Sequence, residues 1–294
     1  MAQRVLLTGA TGAIGSALLE AFVKKGLEVT ALVRDEEKGR KLVASYGSLC
    51  IFVVLPLATD NAAALRQLAQ GFDCVVYAAN TPSEVEDNTV RTFLTAGVET
   101  AAQGGLTHFV YTSGALVYGD CGEEAITETS PTVPTSAFAQ FKLTLEQATL
   151  AAAQDNFVTS VIRPGWVYPG SCLGKYLTAG KEQGFLSLPQ RDGFLSVVHV
   201  QDLADLYVKV IERRAGGVFN AAETTALRSH DLVRDLAAGM GLEVRLVEDP
   251  AVCMAATGMF MLGLTMSQRV TSRAESELEW RPRSIAAGLP SLPK

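Results

Sequence analysis

Residues 4–15 read Arg4-Val5-Leu6-Leu7-Thr8-Gly9-Ala10-Thr11-Gly12-Ala13-Ile14-Gly15. An apolar run at 5–8 has the length and composition of a buried strand. Three glycines follow it and lead into a helix-period segment. Each glycine has a physical task. Gly9 permits a tight turn, Gly12 lets backbone approach a pyrophosphate, and Gly15 lets helix and strand pack closely. The free N–H groups at the start of that helix, with its dipole, favour an anion there. The stretch therefore reads as a dinucleotide phosphate loop in its strand–turn–helix context, with Thr11, Ala13 and Ile14 as further cofactor contacts.

Working outward, short apolar runs alternate with helical periodicity. Strands are expected at 28–33, 49–55, 73–78, 107–113 and 157–163. Helices are expected at 13–25 (closed by Gly26), 36–45, 61–70, 88–104 and 137–154. This rhythm predicts an α/β fold, a doubly wound parallel sheet of Rossmann type, with helices on both faces. After Pro164 the rhythm loosens through a stretch rich in Gly, Pro and aromatics, up to Phe194. Helices follow at 200–213, 230–239 and around 251–264. Short strands at 197–200 and 217–220 are candidates to return to the main sheet. Residues 1–165 are thus expected to form the dinucleotide-binding domain. Residues 166–294 are expected to form a small substrate-side lobe, interleaved with it and not independent.

The bulk numbers narrow the class. A chain of 294 residues that is 48% hydrophobic and 19% charged has ample material for a packed core. Only the end, where Gly288, Pro290, Ser291 and Pro293 cluster, looks disordered. The net charge of −6 and the lack of a basic stripe argue against nucleic acid. Five widely spaced cysteines form no Cys-x-x-Cys pair, which speaks against a disulfide framework or a metal site. The first strand begins too early for a signal peptide, and the apolar stretch 251–266 is shorter than the roughly 20 residues a membrane span needs. A cytoplasmic protein is expected.

The glycine spacing is Gly-x-x-Gly-x-x-Gly, and with it the chain resembles the short-chain dehydrogenase/reductase superfamily in its extended and atypical branch, the NAD-dependent epimerase/dehydratase-like proteins. Four further stretches carry the resemblance in order. Thr112-Ser113-Gly114-Ala115-Leu116-Val117-Tyr118-Gly119 is similar to the family's Ser-Ser-x-x-Val-Tyr-Gly. Arg163-Pro164-Gly165-Trp166-Val167-Tyr168 is similar to Arg-Pro-x-x-Val-Tyr. Val198-His199-Val200-Gln201-Asp202-Leu203-Ala204 and Leu278-Glu279-Trp280-Arg281-Pro282 match two more. The resemblance implies a nicotinamide cofactor, a small-molecule substrate and a homodimer built on the helices at 88–104 and 137–154.

Arg34 stands first beyond the second strand, where an arginine would pair with a 2′-phosphate, and Lys38 would assist. NADP(H) is therefore favoured over NAD(H), with Asp35 as the counter-argument. Where relatives have Gly-Asp-Leu after the third strand, this chain has Leu55-Pro56-Leu57, so Leu57 and backbone are expected to hold the adenine side. The small residues Ala78 and Ala79, with Asn80, are expected to pass beneath the cofactor. Thr112, Ser113, Lys142, Pro164, Gly165 and Val167 are its remaining expected contacts.

The family resemblance also implies a catalytic Tyr four residues before a Lys, with a Ser or Thr orienting the substrate carbonyl. Here Lys142 is kept, but the Tyr position is Phe138 and the Ser/Thr position is Gly114. Ser113, one residue earlier, and His199 are the candidate substitutes, with Tyr118, Tyr168 or a water as other proton sources. Three readings stay open. The chain is an NADP(H)-dependent oxidoreductase or epimerase-like enzyme with altered acid/base groups, a non-redox NADP(H) sensor, or a non-redox enzyme on an apolar substrate. Trp166, Phe185 and Phe194 are candidate pocket residues. Met254, Met259, Met261 and Met266 read first as core and second as pocket lining. Arg269 and Arg273 are candidate phosphate contacts or solvated charges.

Overall fold

The computed structural model describes residues 3–249, 251 and 257–283. Strands β1 (Arg4–Thr8), β2 (Glu28–Val33), β3 (Cys50–Val54), β4 (Cys74–Tyr77), β5 (His108–Thr112), β6 (Val158–Pro164) and β7 (Gly217–Ala221) form one parallel sheet. Their spatial order is β3-β2-β1-β4-β5-β6-β7. The chain runs one way from β1 to β3 and the other way from β4 onward. The switch point therefore lies between the C-terminal ends of β1 and β4, which is where ligands bind in sheets of this kind.

The apolar runs are unbroken because both faces of the sheet are covered. On β1, Val5 and Leu7 pack into one layer with Leu18, Leu19 and Phe22 of helix α1 (Ala13–Lys24). Leu206, Val210 and Ile211 of the helix Val200–Arg213 join the same layer. Leu6 points the other way, to Val90, Phe93 and Leu94 of the helix Ser83–Thr100 and Leu145 of the helix Ala137–Ala151. Helices α2 (Glu36–Tyr46) and α3 (Ala62–Ala69) complete the crossovers. In chain order the three helices just named are α4 (Ser83–Thr100), α5 (Ala137–Ala151) and, after α6 (Ser171–Gln183), α7 (Val200–Arg213).

Helix α4 begins five residues before the position expected at 88. The extended backbone of Pro82, at φ −53° and ψ 146°, sets its start, and Glu84 and Glu86 occupy its first turn. The segment 217–220 does return to the sheet, as β7 against β6. The segment at 197–200 does not: Val197–His199 pairs in parallel with Trp166–Tyr168, a strand the sequence reading lacked. Helix α6 and the strands Phe185–Pro189 and Glu243–Val247, which pair with each other, were also not expected. Together with α8 (Ser229–Met240) and α9 (Met259–Leu264) they enclose a separate apolar cluster around Tyr176, Leu188, Leu236 and Phe260. Of the methionines, Met261 and Met266 are buried there or nearby, whereas Met254 lies outside the described residues. The same holds for Cys253 and for the Gly/Pro cluster at the C-terminal end. No helix among the described residues is long and apolar enough to cross a membrane.

Candidate active site

The glycine loop is shaped by backbone proximity. Gly9 adopts φ +74°, and a Cβ there would stand 2.4 Å from the Ala78 carbonyl oxygen. The Gly12 N–H donates to the Gly9 carbonyl at 2.8 Å. A Cβ on Gly15 would lie 2.0 Å from that same carbonyl oxygen, so no other residue fits. The loop is tied across the switch point by the Ala78 N–H, which donates to Thr8 Oγ1 at 3.1 Å. Helix α1 opens on Gly12 with no side-chain cap and no acidic residue in its first turn. Its first N–H groups and its positive dipole end are thus left for an anion.

At the end of β2, Arg34 and Lys38 are exposed and form no ion pair among the described residues. Asp35 is occupied differently: its carboxylate caps α2 by accepting from the Lys38 N–H at 2.9 Å. Leu57 is half-buried against the inner layer that holds Leu6.

Beside the loop lies a cleft of about 310 Å³. Ala13, Ile14, Ala78, Ala79 and Asn80 line one side. Thr112, Ser113, Lys142, Pro164, Gly165 and Val167 line it as well. All of these were expected as cofactor contacts, and the fold brings them together. Gly9, Thr11, Gly12, Gly15, Arg34, Lys38 and Leu57 do not line this cleft. Leu116, Phe138, Trp166 and Met259 make the rest of the wall mostly apolar. Trp166 is held edge-on against Phe260 at 5.5 Å, and Gly263 leaves α9 room to press on its indole.

Lys142 comes from α5, and its ammonium is almost fully buried. It donates to Glu86 Oε1 of α4 at 2.6 Å and to the Thr112 carbonyl at 3.0 Å. Tyr111 donates to the same Glu86 oxygen at 2.7 Å. Burial pushes the Lys142 pKa below the usual lysine range, and the Glu86 carboxylate opposes that shift. One turn along α5, Glu146 takes a fork of hydrogen bonds from Arg163 of β6 at 2.5–3.1 Å. This buried pair clamps α5 to the strand whose end forms the cleft wall, so it sets where Lys142 sits.

Phe138, at the expected Tyr position, is 41% exposed and faces the cleft. At Gly114 a Cβ would meet Leu116 Cδ2 at 3.0 Å, so a leucine side chain crowds the place of the missing hydroxyl. Ser113 lines the cleft, but its Oγ is buried without a hydrogen-bond partner. The other proton sources are engaged elsewhere. Tyr118 donates to Asn220 and accepts from Arg163, and Tyr168 donates to Glu223. His199 Nδ1 caps α7 by accepting from the Gln201 N–H at 3.2 Å, and His199 does not line the cleft. Nor do Phe185 and Phe194, which carry the guanidinium groups of Arg245 and of Arg228 and Arg269 on their faces. Arg273 is spent on the Val218 and Gly216 carbonyls.

In and around the cleft, Glu86, Ala115, Leu116, Gly170, Cys172 and Gln268 were not foreseen as site residues. For Glu86 a signal existed, an acidic residue in the first turn of α4 on the face of Val90 and Phe93. The others carry no pattern that spacing would reveal.

A strand-order switch point, a glycine loop without room for side chains, and a buried lysine of α5 bonded to the last carbonyl of β5 define a dinucleotide-binding α/β protein of epimerase/dehydratase type. The chain belongs to the NAD dependent epimerase/dehydratase family, whose profile matches residues 5–222. It is 27% identical over 310 residues to a 3-diazoavenalumate denitrifying reductase of Streptomyces sp, covering 95% of this chain and 96% of that protein. It is 27% identical over 226 residues to a 4-hydroxy-2-methyl-3-oxo-4-farnesyl-3,4-dihydroquinoline-1-oxide ketoreductase of Stigmatella aurantiaca, covering 73% of this chain and 66% of that protein. Among solved structures, dTDP-glucose 4,6-dehydratase from Streptomyces venezuelae with NAD bound superposes with a TM-score of 0.78 at 22% identity. That match covers 97% of this chain and 94% of the dehydratase, and it speaks to the fold.

Proposed function

We propose that this protein is an NADP(H)-dependent oxidoreductase acting on a small, largely apolar substrate. The observation that carries the reading is the join between the glycine loop and the apolar cleft, with Lys142 at their meeting point. The loop fits a pyrophosphate because backbone alone fills it, and Arg34 stands free for a 2′-phosphate. Bound there, the nicotinamide would supply or accept a hydride.

The chain's own residues do the rest. An ammonium has three N–H donors. Lys142 spends two on Glu86 and Thr112, which leaves one for a ribose hydroxyl. Phe138, Leu116, Trp166 and Met259 offer the substrate an apolar wall, and Phe138, partly exposed, leaves the edge of the cleft open to water. Among the described residues no Tyr, His, Asp or Glu lines the cleft. Losing a side-chain acid typically costs about 100- to 10,000-fold in rate with an ordinary ketone. The cleft therefore suits an acceptor conjugated widely enough that its reduced anion takes a proton from water.

Fluorescence titration with NADPH and NADH tests the binding. Mixing the NADPH complex with 9,10-phenanthrenequinone, followed by loss of NADPH absorbance, tests the chemistry. Failure to bind either dinucleotide overturns the reading. A second reading, a non-redox NADP(H) sensor, is favoured by the two missing hydroxyl groups at Phe138 and Gly114. Tight NADPH binding without oxidation across quinone and azo acceptors would select it.

A further inference from the structure

We infer that Gln268 is a specificity-determining residue, selecting substrates that carry an O–H or N–H beside their apolar body. The inference rests on the cleft being the substrate site of the cofactor-dependent reading above.

Gln268 is buried and lines the cleft. Its main chain is held on both sides: its N–H donates to the Phe194 carbonyl at 2.8 Å, and its carbonyl accepts from Ser196 Oγ at 2.9 Å. Its side-chain Nε2 donates to the Ala115 carbonyl at 3.0 Å and to the Gly119 carbonyl at 2.8 Å. Both amide hydrogens are thereby used. The orientation is also settled, because the reversed amide would set an oxygen against two carbonyls. Oε1 has no hydrogen-bond partner among the described residues, yet it is not sealed from solvent.

The two carbonyls bracket the 3-10 turn Ala115–Tyr118, which follows Gly114 and carries Leu116. A fixed acceptor is therefore anchored to the turn where a hydroxyl donor would otherwise project from position 114. The polarity of this wall is inverted: it asks for a hydrogen rather than offering one. A purely apolar ligand would strip water from Oε1 and leave it unpaired, a penalty worth about 10- to 100-fold in affinity.

The test uses the full chain loaded with NADP+ and two probes that share the naphthalene body, 2-naphthol with an O–H and 2-methoxynaphthalene with that hydrogen replaced by methyl, by isothermal calorimetry. The expected result is tighter binding of 2-naphthol by about tenfold or more. In Gln268→Met the preference should vanish, chiefly because 2-methoxynaphthalene, no longer penalised for covering Oε1, binds more tightly. Should that variant not fold, the wild-type pair decides alone. Equal affinities, or no binding of either probe, overturn the inference. A prior NADPH titration separates the failures: without dinucleotide binding it is the cofactor reading that falls, whereas binding without probe discrimination removes only the role of Gln268.

Discussion

Lys142 Nζ sits 2.6 Å from Glu86 Oε1, both groups buried, one on α5 and the other on α4. Removing one member of such a pair leaves an uncompensated charge. Glu86→Gln is expected to destabilise the protein by about 3–5 kcal/mol in urea unfolding at neutral pH. Replacing both, as Glu86→Gln with Lys142→Met, should recover much of that loss. The pH dependence has a definite sign. Burial lowers the folded-state pKa of Lys142, so the unfolded chain binds more protons between that value and the ordinary lysine value. Stability therefore rises with pH across this window, and the deficit of Glu86→Gln should shrink as pH rises towards about 10. A pH-independent deficit would contradict the pairing.

Gly12 and Gly15 separate binding from folding. An added Cβ at Gly12 meets only the Gly9 carbonyl, at 3.3 Å, and the residue has an ordinary negative φ of −86°. Gly12→Ala should keep the wild-type melting temperature within a few degrees while cutting NADPH affinity, since the methyl stands where pyrophosphate approaches. Gly15→Ala collides with backbone and should cost about 1–3 kcal/mol or more of stability. Calorimetric melting with a dinucleotide titration reads both. The opposite ranking would remove the loop's assignment.

Arg34→Ala should weaken NADPH by about 10- to 100-fold, the worth of one charge-assisted contact, and leave NADH nearly unchanged. Equal losses for the two cofactors would mean that Arg34 does not meet a 2′-phosphate.

Restoring the missing hydroxyls is the sharpest test of why the site departs from its family. Phe138→Tyr brings a phenol within reach of Lys142, whose Nζ lies 6.0 Å from the Phe138 ring centre. Gly114→Ser requires the Leu116 side chain to turn aside, which a flexible side chain allows. The double variant should reduce a simple aryl ketone such as acetophenone about 100-fold faster than the wild type, read as NADPH consumption. No gain at all would show that the cleft does not place a carbonyl at this corner.

His108 provides a test remote from the cleft. It is buried on β5 with Nε2 2.8 Å from Ser160 Oγ, and burial, with a smaller push from Arg214, drives its pKa down to about 3. The neutral ring is required by the fold, so stability is lost as pH falls from about 6.5 towards 3. His108→Asn should flatten that part of the pH–stability curve, whatever it does to stability at pH 7. An unchanged slope would place the acid sensitivity elsewhere.

Much of this was legible beforehand because it is local. The loop from Thr8 to Gly15, the cap at Gly26 and the run of β/α units follow from spacing and from which residues tolerate which backbone. The departures at Phe138 and Gly114 were visible once the neighbouring motifs aligned. The lobe after Pro164 was harder, since helix α6 carries Gly174 and Gly180 within it and the Phe185–Pro189 strand is too short to declare itself. His199 shows the limit from the other side: a histidine within a recognisable stretch turned out to hold a helix end.

The strand–turn–helix glycine loop at 8–15 and the placing of Phe138 four residues before Lys142 were readable along the chain, because turns and helix faces are set within a few residues. Which polar groups meet the cleft follows from packing alone. Glu86 reaches Lys142 across two packed helices, Leu116 folds over Gly114, and Gln268 arrives from the far end of the chain to bond Ala115 and Gly119. Those contacts depend on how distant elements pack, and no spacing along the chain encodes them.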